Sequence, residues 1–259
     1  MASADELRLA VLIDAENVPY KKVKGIMEEI SKYGTLTIKR IYADWTNQAV
    51  SGWKGVLLDN AITPIQQYSY TTGKNASDSA MIIDAMDILY SGKVEGFCII
   101  SSDSDFTRLA TRLREAGMKV FGIGERKTPN AFIVSCDKFI YIDIINAPLK
   151  NGEYAETEAP KGNQTKHEPK NHTLEIEEEI IGLIATSIND VADENGWALL
   201  ATVGNLISKK RPDFDTRSYG FGKLTPLIKS LNRFEIEQRE SSDSGIKHIY
   251  VKNKFKRHE

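Results

Sequence analysis

Four aspartates in the first half of the chain stand where apolar segments end or begin. Asp14 closes one apolar run, Asp103 and Asp105 follow another, and Asp78 lies at the start of an apolar helical segment. Carboxylates that meet cannot all stay ionised without a counter-charge, because like charges raise each other's pKa. A divalent cation would supply it, and oxygen-only ligands favour Mg²⁺ or Mn²⁺ over zinc. Such a site could activate water and stabilise charge on a phosphoryl oxygen.

Each of these polar residues also has a purely structural alternative. Asp78 and Asp103 are both placed to cap the N-terminus of a following helix, although capping explains four such acids less well than one. Asn17 either orients an acid or contacts substrate, or it forms a simple Asx turn. Ser102 and Lys74 either contact a phosphate or are an ordinary loop hydroxyl and an exposed loop lysine.

Other chemistries have little support in the sequence. The chain contains neither a G-x-x-x-x-G-K-[ST] phosphate loop nor a G-x-S-x-G motif, and the pair Gly122 and Gly124 lacks the third glycine of a dinucleotide fingerprint. All four histidines lie after residue 166. The two cysteines, Cys98 and Cys136, lie in apolar stretches, which argues against a disulfide scaffold or cysteine zinc site and favours a reducing cytoplasm.

The elements that would position the acids follow from hydrophobic periodicity. Strands are predicted at 9–13, 36–42, 62–66, 96–100, 119–123 and 139–143, and helices at 23–30, 80–90 and 106–116. Continuous apolar strands that alternate with helices predict an α/β fold with a parallel sheet sandwiched by helices. Ligands bind beyond the carboxyl ends of such strands, so we expect the four aspartates to converge there.

The pattern changes after residue 146. We interpret residues 1–146 as one domain, 147–172 as a flexible, proline-containing linker, and 173–253 as a smaller α+β domain. In the smaller domain, helices are predicted at 174–188, 197–207 and 223–231, and a terminal hairpin at 234–238 and 246–251 with its turn at 241–245, which resembles a winged helix.

The composition excludes a wholly disordered chain, a collagen-like fibre and a coiled coil. Hydrophobic residues make up 41% of the 259 residues and charged residues 27%, as in globular proteins. No apolar run reaches the roughly 18 residues of a membrane span, and the acidic N-terminus does not resemble a signal peptide. The net charge is only −2, but residues 207–259 carry thirteen basic against seven acidic side chains. That excess indicates either an anionic partner or an ordinary solvated face.

Spaced motifs in the first domain resemble those of NYN domains, in the LabA-like bacterial branch. They are VLIDAEN at 11–17, KNASD at 74–78, SSDSDF at 101–106 and GERKTP at 124–129. The resemblance covers residues 6–145, and NYN domains belong to the PIN-like superfamily of metal-dependent ribonucleases.

The resemblance implies a site for Mg²⁺ or Mn²⁺ made of Asp14, Asp78, Asp103 and Asp105, with Asn17 close by. Asp14 and Asp103 would be the primary ligands. It also implies in-line hydrolysis of an RNA phosphodiester bond that leaves a 5′-phosphate and a 3′-hydroxyl.

The second domain resembles an OST-HTH, or LOTUS, domain over residues 172–253. The motifs are WALL at 197–200, VGNLI at 203–207, RPDFD at 211–215 and YGFGKL at 219–224. Such domains are associated with RNA binding, including structured G-rich RNA. We expect contacts through charge neutralisation and stacking from Lys209, Lys210, Arg211, Arg217, Tyr219 and Lys223. For Trp197 we favour packing in the core.

The sequence therefore predicts a cytoplasmic, metal-dependent endoribonuclease whose second domain binds single-stranded or structured RNA, and it leaves an oligomeric assembly open. A non-catalytic RNA-binding or regulatory protein with an inert acidic site is one alternative, which the intact set of four acids disfavours. A phosphohydrolase acting on nucleotides or small phosphates is another, which the attached RNA-type domain disfavours.

Overall fold

The chain divides into two compact units, residues 1–145 and 146–259. The computed structural model describes residues 6–68, 76–147, 177–240 and 247–254. Lys74 and all but the first residue of the predicted linker at 147–172 therefore lie outside the described residues. Within the described ranges, no helix is both long enough and apolar enough to cross a membrane.

A six-stranded parallel sheet forms the centre of the first unit. Its strands are β1 (Arg8–Asp14), β2 (Thr35–Ala43), β3 (Thr63–Gln66), β4 (Gly96–Ile100), β5 (Lys119–Gly124) and β6 (Lys138–Tyr141). They are arranged in the order β3-β2-β1-β4-β5-β6, and every neighbouring pair is parallel. The predicted α/β fold with a parallel sheet is confirmed.

Among the described residues of the first unit, five α-helices flank this sheet. They are α1 (Val23–Ile30), α2 (Trp53–Asn60), α3 (Ala76–Ser91), α4 (Thr107–Glu115) and α5 (Asn130–Ser135). The sequence pattern predicts α1 with these same bounds, because its buried residues recur at helical spacing. It predicts neither α2, which buries only two residues, nor α5, which is only six residues long.

The strand order reverses direction at the neighbouring strands β1 and β4, which form a topological switch point. The chain leaves β1 toward β2 on one side and returns to add β4 on the other, and crevices for ligands form at such reversals. Ile13 on β1 is in register with Ile100 on β4. The residues that follow, Asp14 and Ser101, consequently emerge side by side at the carboxyl edge.

Close packing explains the glycines of β5. A Cβ atom on Gly122 would lie 2.5 Å from the Phe139 ring and 2.7 Å from the Cys136 sulfur. On Gly124 it would lie 2.6 Å from the carbonyl oxygen of Ser101. The two glycines therefore allow β5 to approach β6 and the segment after β4, and they need no nucleotide to account for them.

The second unit is a small α+β domain. It contains helices α6 (Glu178–Val191), α7 (Leu200–Lys210) and α8 (Leu224–Ser230), and strands β7 (Ala198–Leu199), β8 (Phe234–Glu240) and β9 (Lys247–Asn253). The strands form an antiparallel sheet in the order β7-β9-β8. α7 begins three residues later than predicted, because Ala198 and Leu199 pair with β9. The predicted turn at 241–245 lies outside the described residues.

We predict that Gly122→Ala lowers the free energy of unfolding of the first unit by about 1–3 kcal/mol, because the added methyl group overpacks the β5–β6 contact. The measurement is urea unfolding followed by tryptophan fluorescence in a Trp197→Phe background, so that only Trp45 and Trp53 report. Gly55→Ala is the matched control: Gly55 lies in α2 with nothing within 4 Å of the added Cβ. It should leave stability unchanged or raise it by up to about 1 kcal/mol. Equal midpoints for Gly122→Ala and its parent would contradict this packing argument.

Candidate metal centre and nucleic-acid contacts

Three carboxylates meet at the carboxyl edge of the first unit's sheet. Asp78, Asp103 and Asp105 each offer an oxygen, and these oxygens all lie within 4.8 Å of one another. Asp78 lies in the first turn of α3. Asp103 follows β4, and Asp105 lies in the short 3-10 turn that leads into α4. Two helix starts and one strand end therefore converge on one small volume.

Asp14 lies beside this group but is held by its own hydrogen bonds. Its side chain is buried, with 2% of its surface exposed. Its Oδ2 atom accepts hydrogen bonds from Asn17 Nδ2 at 2.6 Å and from Ser101 Oγ at 2.8 Å. Its Oδ1 atom accepts one from the backbone N–H of Glu16 at 3.1 Å. Asn17 therefore orients an acid, which was one of the two functional roles expected of it.

Ser101 is a residue that the sequence pattern did not single out. Its hydroxyl is fully buried, donates to Asp14 and accepts from the backbone N–H of Asp103 at 3.1 Å. It therefore joins the end of β1 to the loop that carries Asp103. The only available signal was its position directly after an apolar strand, and that signal applied equally to its neighbour Ser102.

Ser102 makes an internal bond instead. Its hydroxyl accepts a hydrogen bond from the backbone N–H of Glu125 at 2.8 Å, and only 6% of the residue is exposed. This bond fastens the loop after β4 to the loop after β5. The predicted phosphate contact would require that buried hydroxyl to reach substrate.

Asp103 combines the two roles that the sequence left open. Its Oδ1 atom accepts from the backbone N–H of Asp105 at 2.9 Å, which caps the 3-10 turn. The same carboxylate belongs to the acidic group. Capping consequently fixes its orientation toward Asp78 and Asp105.

Negative charge is crowded around Asp78. Burial, followed by the negative charges of Asp14, Asp103, Glu16 and Asp105, raises the pKa of Asp78 to about 7. Glu16, which the sequence pattern did not single out, is therefore close enough to act on this site. A hard divalent cation fits such a donor set, which among the described residues consists of carboxylate oxygens without histidine or cysteine.

A neighbouring acid on α3, Asp84, is hydrogen-bonded to side chains of β2 and lies outside the acidic group. Asp84 accepts hydrogen bonds from the guanidinium of Arg40 and the hydroxyl of Tyr42, both on β2. Burial and this contact raise the pKa of Tyr42 well above its usual range. The contact ties α3 to the sheet six residues beyond Asp78, and thereby helps to fix where α3 begins.

The second unit holds most of its predicted nucleic-acid contacts in internal interactions. Lys210 pairs with Asp190 at 2.5 Å, Arg211 with Glu179 at 3.0 Å, and Arg217 with Asp215 at 2.7 Å. Three of the five cationic side chains predicted to contact nucleic acid are therefore engaged in ion pairs within the unit.

Tyr219 does not present its ring at the surface. It is 6% exposed and packs against Phe214 with ring centroids 6.1 Å apart. The predicted stacking on a base is not open to a ring in this position, because the core of the unit covers it. Lys209 and Lys223 are exposed and form no ion pair among the described residues, so they remain the accessible members of the predicted set.

Comparison with known proteins agrees with this architecture. The NYN domain family, which belongs to the PIN-like nuclease superfamily, matches residues 8–143, in agreement with the parallel α/β fold. The chain therefore belongs to the NYN family. The OST-HTH/LOTUS domain family matches residues 173–245. The LabA-like branch stays a prediction, while the combination of domains supports a nuclease that binds RNA.

Two solved structures are similar to parts of this chain. The crystal structure of a protein of unknown function from Vibrio parahaemolyticus is 21% identical over 55% of this chain and 97% of its own, with a TM-score of 0.47. The solution structure of an uncharacterised protein from Nitrosomonas europaea is 27% identical over 40% of this chain and 97% of its own, with a TM-score of 0.30. No curated protein sequence is significantly similar to the chain.

We predict that Asp78→Asn stabilises the metal-free protein at pH 8 and has a smaller effect at pH 5. An acid whose pKa rises on folding, here from 3.8 to about 7, contributes full stability below the lower value and loses it as the pH passes the higher one. Since Asp78 is partly exposed, solvent screening should limit the gain to about 1 kcal/mol, or roughly 2–4 °C.

The measurement is thermal unfolding in EDTA at the two pH values. Asp87→Asn is the matched control, since Asp87 lies on the same helix but is exposed. An Asp78→Asn effect that does not grow between pH 5 and pH 8 would refute the electrostatic account.

Proposed function

We propose that the protein is a divalent-metal-dependent endoribonuclease that hydrolyses RNA phosphodiester bonds. The observation that carries the proposal is the convergence of Asp78, Asp103 and Asp105 within 4.8 Å at the carboxyl edge of an NYN domain. The raised pKa of Asp78 supports it, because this crowding has a cost that a bound cation would remove.

The three converging carboxylates would hold the cation, and Mg²⁺ and Mn²⁺ both suit an all-oxygen donor set. When bound, the ion supplies Lewis-acid stabilisation of charge on the phosphoryl oxygen and lowers the pKa of water. Asp14 adds negative charge from a buried position, held by Asn17 and Ser101. We propose it as the fourth member of the site, acting directly or through water.

The LOTUS unit would select or tether the RNA. Covalent attachment to the nuclease domain raises the local concentration of any RNA that this unit holds. Lys209 and Lys223 are exposed and can neutralise phosphate charge. We propose that the RNA is either single-stranded or structured and G-rich. We also propose that the protein can form an oligomer. The two cysteines are unpaired and buried, which agrees with a reducing, cytoplasmic setting.

Asp103→Asn is expected to reduce RNA cleavage by at least about 100-fold, because it removes charge from the carboxylate group. The fold should persist, since asparagine caps a helix start about as well as aspartate, and RNA binding should be retained. The measurement is cleavage of labelled single-stranded and structured RNA with Mg²⁺, with Mn²⁺ and with EDTA, alongside a binding assay in EDTA.

Asp87→Asn again provides the matched control and should cleave like the wild type. Cleavage by Asp103→Asn at the wild-type rate would refute the assigned site. Tight RNA binding without cleavage in either metal would instead favour the non-catalytic alternative.

A further inference from the structure

The outer face of the small sheet carries two aromatic side chains outside the core of the second unit. Val251 and Ala198 point toward the helices and are 0% and 1% exposed. Because side chains alternate along a strand, Tyr250 and Lys252 lie on the opposite face. Trp197 is only half-buried and, like Tyr250, is absent from the core cluster. The expectation that Trp197 packs in the core is therefore wrong.

Two cations lie against these rings. The guanidinium carbon of Arg239 is 5.0 Å from the centroid of the Trp197 ring and 4.5 Å from that of Tyr250. The ammonium of Lys252 is 5.8 Å from the Trp197 ring. These are cation–π distances. We call the set of Trp197, Arg239, Tyr250 and Lys252 the aromatic platform.

The turn before β7 fixes the position of Trp197. The Oδ1 atom of Asp193 accepts hydrogen bonds from the backbone N–H groups of Asn195 and Trp197, both at 2.9 Å. Gly196 has a φ of +81°, a left-handed conformation that favours glycine. A Cβ atom there would lie 3.3 Å from the Lys252 side chain. These contacts hold Trp197 in position in the absence of a ligand.

Charge on this face is uneven in a way that suits a polyanion. Residues 247–254 contain three lysines and a histidine and no acid. The acids Glu235 and Glu237 of the outer face are on the edge strand β8, where Glu237 is paired with Arg239 at 3.0 Å, and the negative charge of Asp193 also acts on Arg239. The strand β9 therefore adds positive charge beside the half-buried rings of Trp197 and Tyr250.

We propose that the aromatic platform binds unpaired RNA bases, which stack on Trp197 and Tyr250 while Arg239 and Lys252 contact the adjoining phosphates. Base stacking on aromatic side chains tolerates any sequence, because every base has a π face. The predicted contacts at residues 209–223 are less suited to stacking, since their one aromatic ring, that of Tyr219, is buried. The inference rests on the proposed function in one respect, namely that RNA is the ligand.

The test measures binding of the full-length protein in EDTA, which prevents metal-dependent cleavage, to a fluorescein-labelled single-stranded RNA 20-mer and to its blunt duplex. Trp197→Ala and Tyr250→Ala should each weaken single-strand binding by about tenfold and affect the duplex much less. Trp197→Phe should retain most of the affinity, because it keeps an aromatic ring. RNA should also quench the fluorescence of the wild type more than that of Trp197→Phe.

Two further variants keep the test independent of folding. Arg239→Gln changes a half-exposed side chain and should weaken single-strand binding even if Trp197→Ala unfolds the unit. Tyr90→Ala is the matched control, because Tyr90 is an exposed tyrosine, 73% accessible, on α3 of the other unit. It should bind RNA like the wild type.

The outcomes separate this inference from the proposed function. Wild-type affinity in folded Trp197→Ala, Tyr250→Ala and Arg239→Gln, with loss of binding in Lys209→Ala or Lys223→Ala, would overturn the platform and leave the nuclease proposal standing. Equal losses for single strand and duplex would also overturn it, since stacking requires unpaired bases. No RNA binding by the wild type would refute both this inference and the RNA-binding part of the proposed function.

Discussion

Repulsion among carboxylates at the edge of the first unit's sheet is the constraint on which the candidate site depends. Asp78 can be ionised in the folded protein only at a cost, because burial and four neighbouring acids raise its pKa to about 7. The protein does not relieve this with Arg40, which is engaged with Asp84 further along α3. It instead holds the acids with neutral donors: a serine hydroxyl, an asparagine amide and backbone N–H groups. Neutral donors fix geometry and leave the charge uncompensated, which is the condition under which a cation binds.

That geometry is maintained by an apolar scaffold. β4 is buried along its whole length and β1 from Leu9 onward, so neither strand can shift without exposing core side chains. The register of the two strands places Asp14 beside Ser101. The Ser101 hydroxyl also accepts a hydrogen bond from the backbone N–H of Asp103, so it links the end of β1 to the loop that carries Asp103. A displacement of β1 by one residue would break the hydrogen bond between Asp14 and Ser101. The stability of the sheet and the arrangement of the acids are therefore one property of the molecule.

The sequence predicts those parts of the structure in which local pattern and global packing agree. The strands β1 and β4 and the helix α1 are strongly periodic or wholly apolar, and the fold class follows from their alternation. The helices α2 and α5 are missed because they are short and gain their order from tertiary contacts. Ser101 is missed because a hydroxyl after a strand has no signature that distinguishes a buried hydrogen-bond bridge from a loop residue. Trp197 shows the reverse error: residue type suggests a core indole, but Trp197 precedes the short strand β7 and its side chain is only half-buried, outside the core cluster.

The two units pose different recognition problems, and their chemistry differs accordingly. A cation held by carboxylates can act on any phosphodiester bond that reaches it, because the phosphate is the same at every position. Little in the acidic group itself distinguishes one RNA from another. Selectivity must then come from groups that sense base pairing, base stacking or shape, and the half-buried aromatic rings and exposed lysines of the second unit have that chemistry. In the proposed function, covalent linkage would turn selective binding by one unit into selective cleavage by the other, since it would raise the concentration of the retained RNA near the carboxylates. On this reasoning, the choice of RNA can change through surface substitutions in the second unit without disturbing the charge balance that constrains the first.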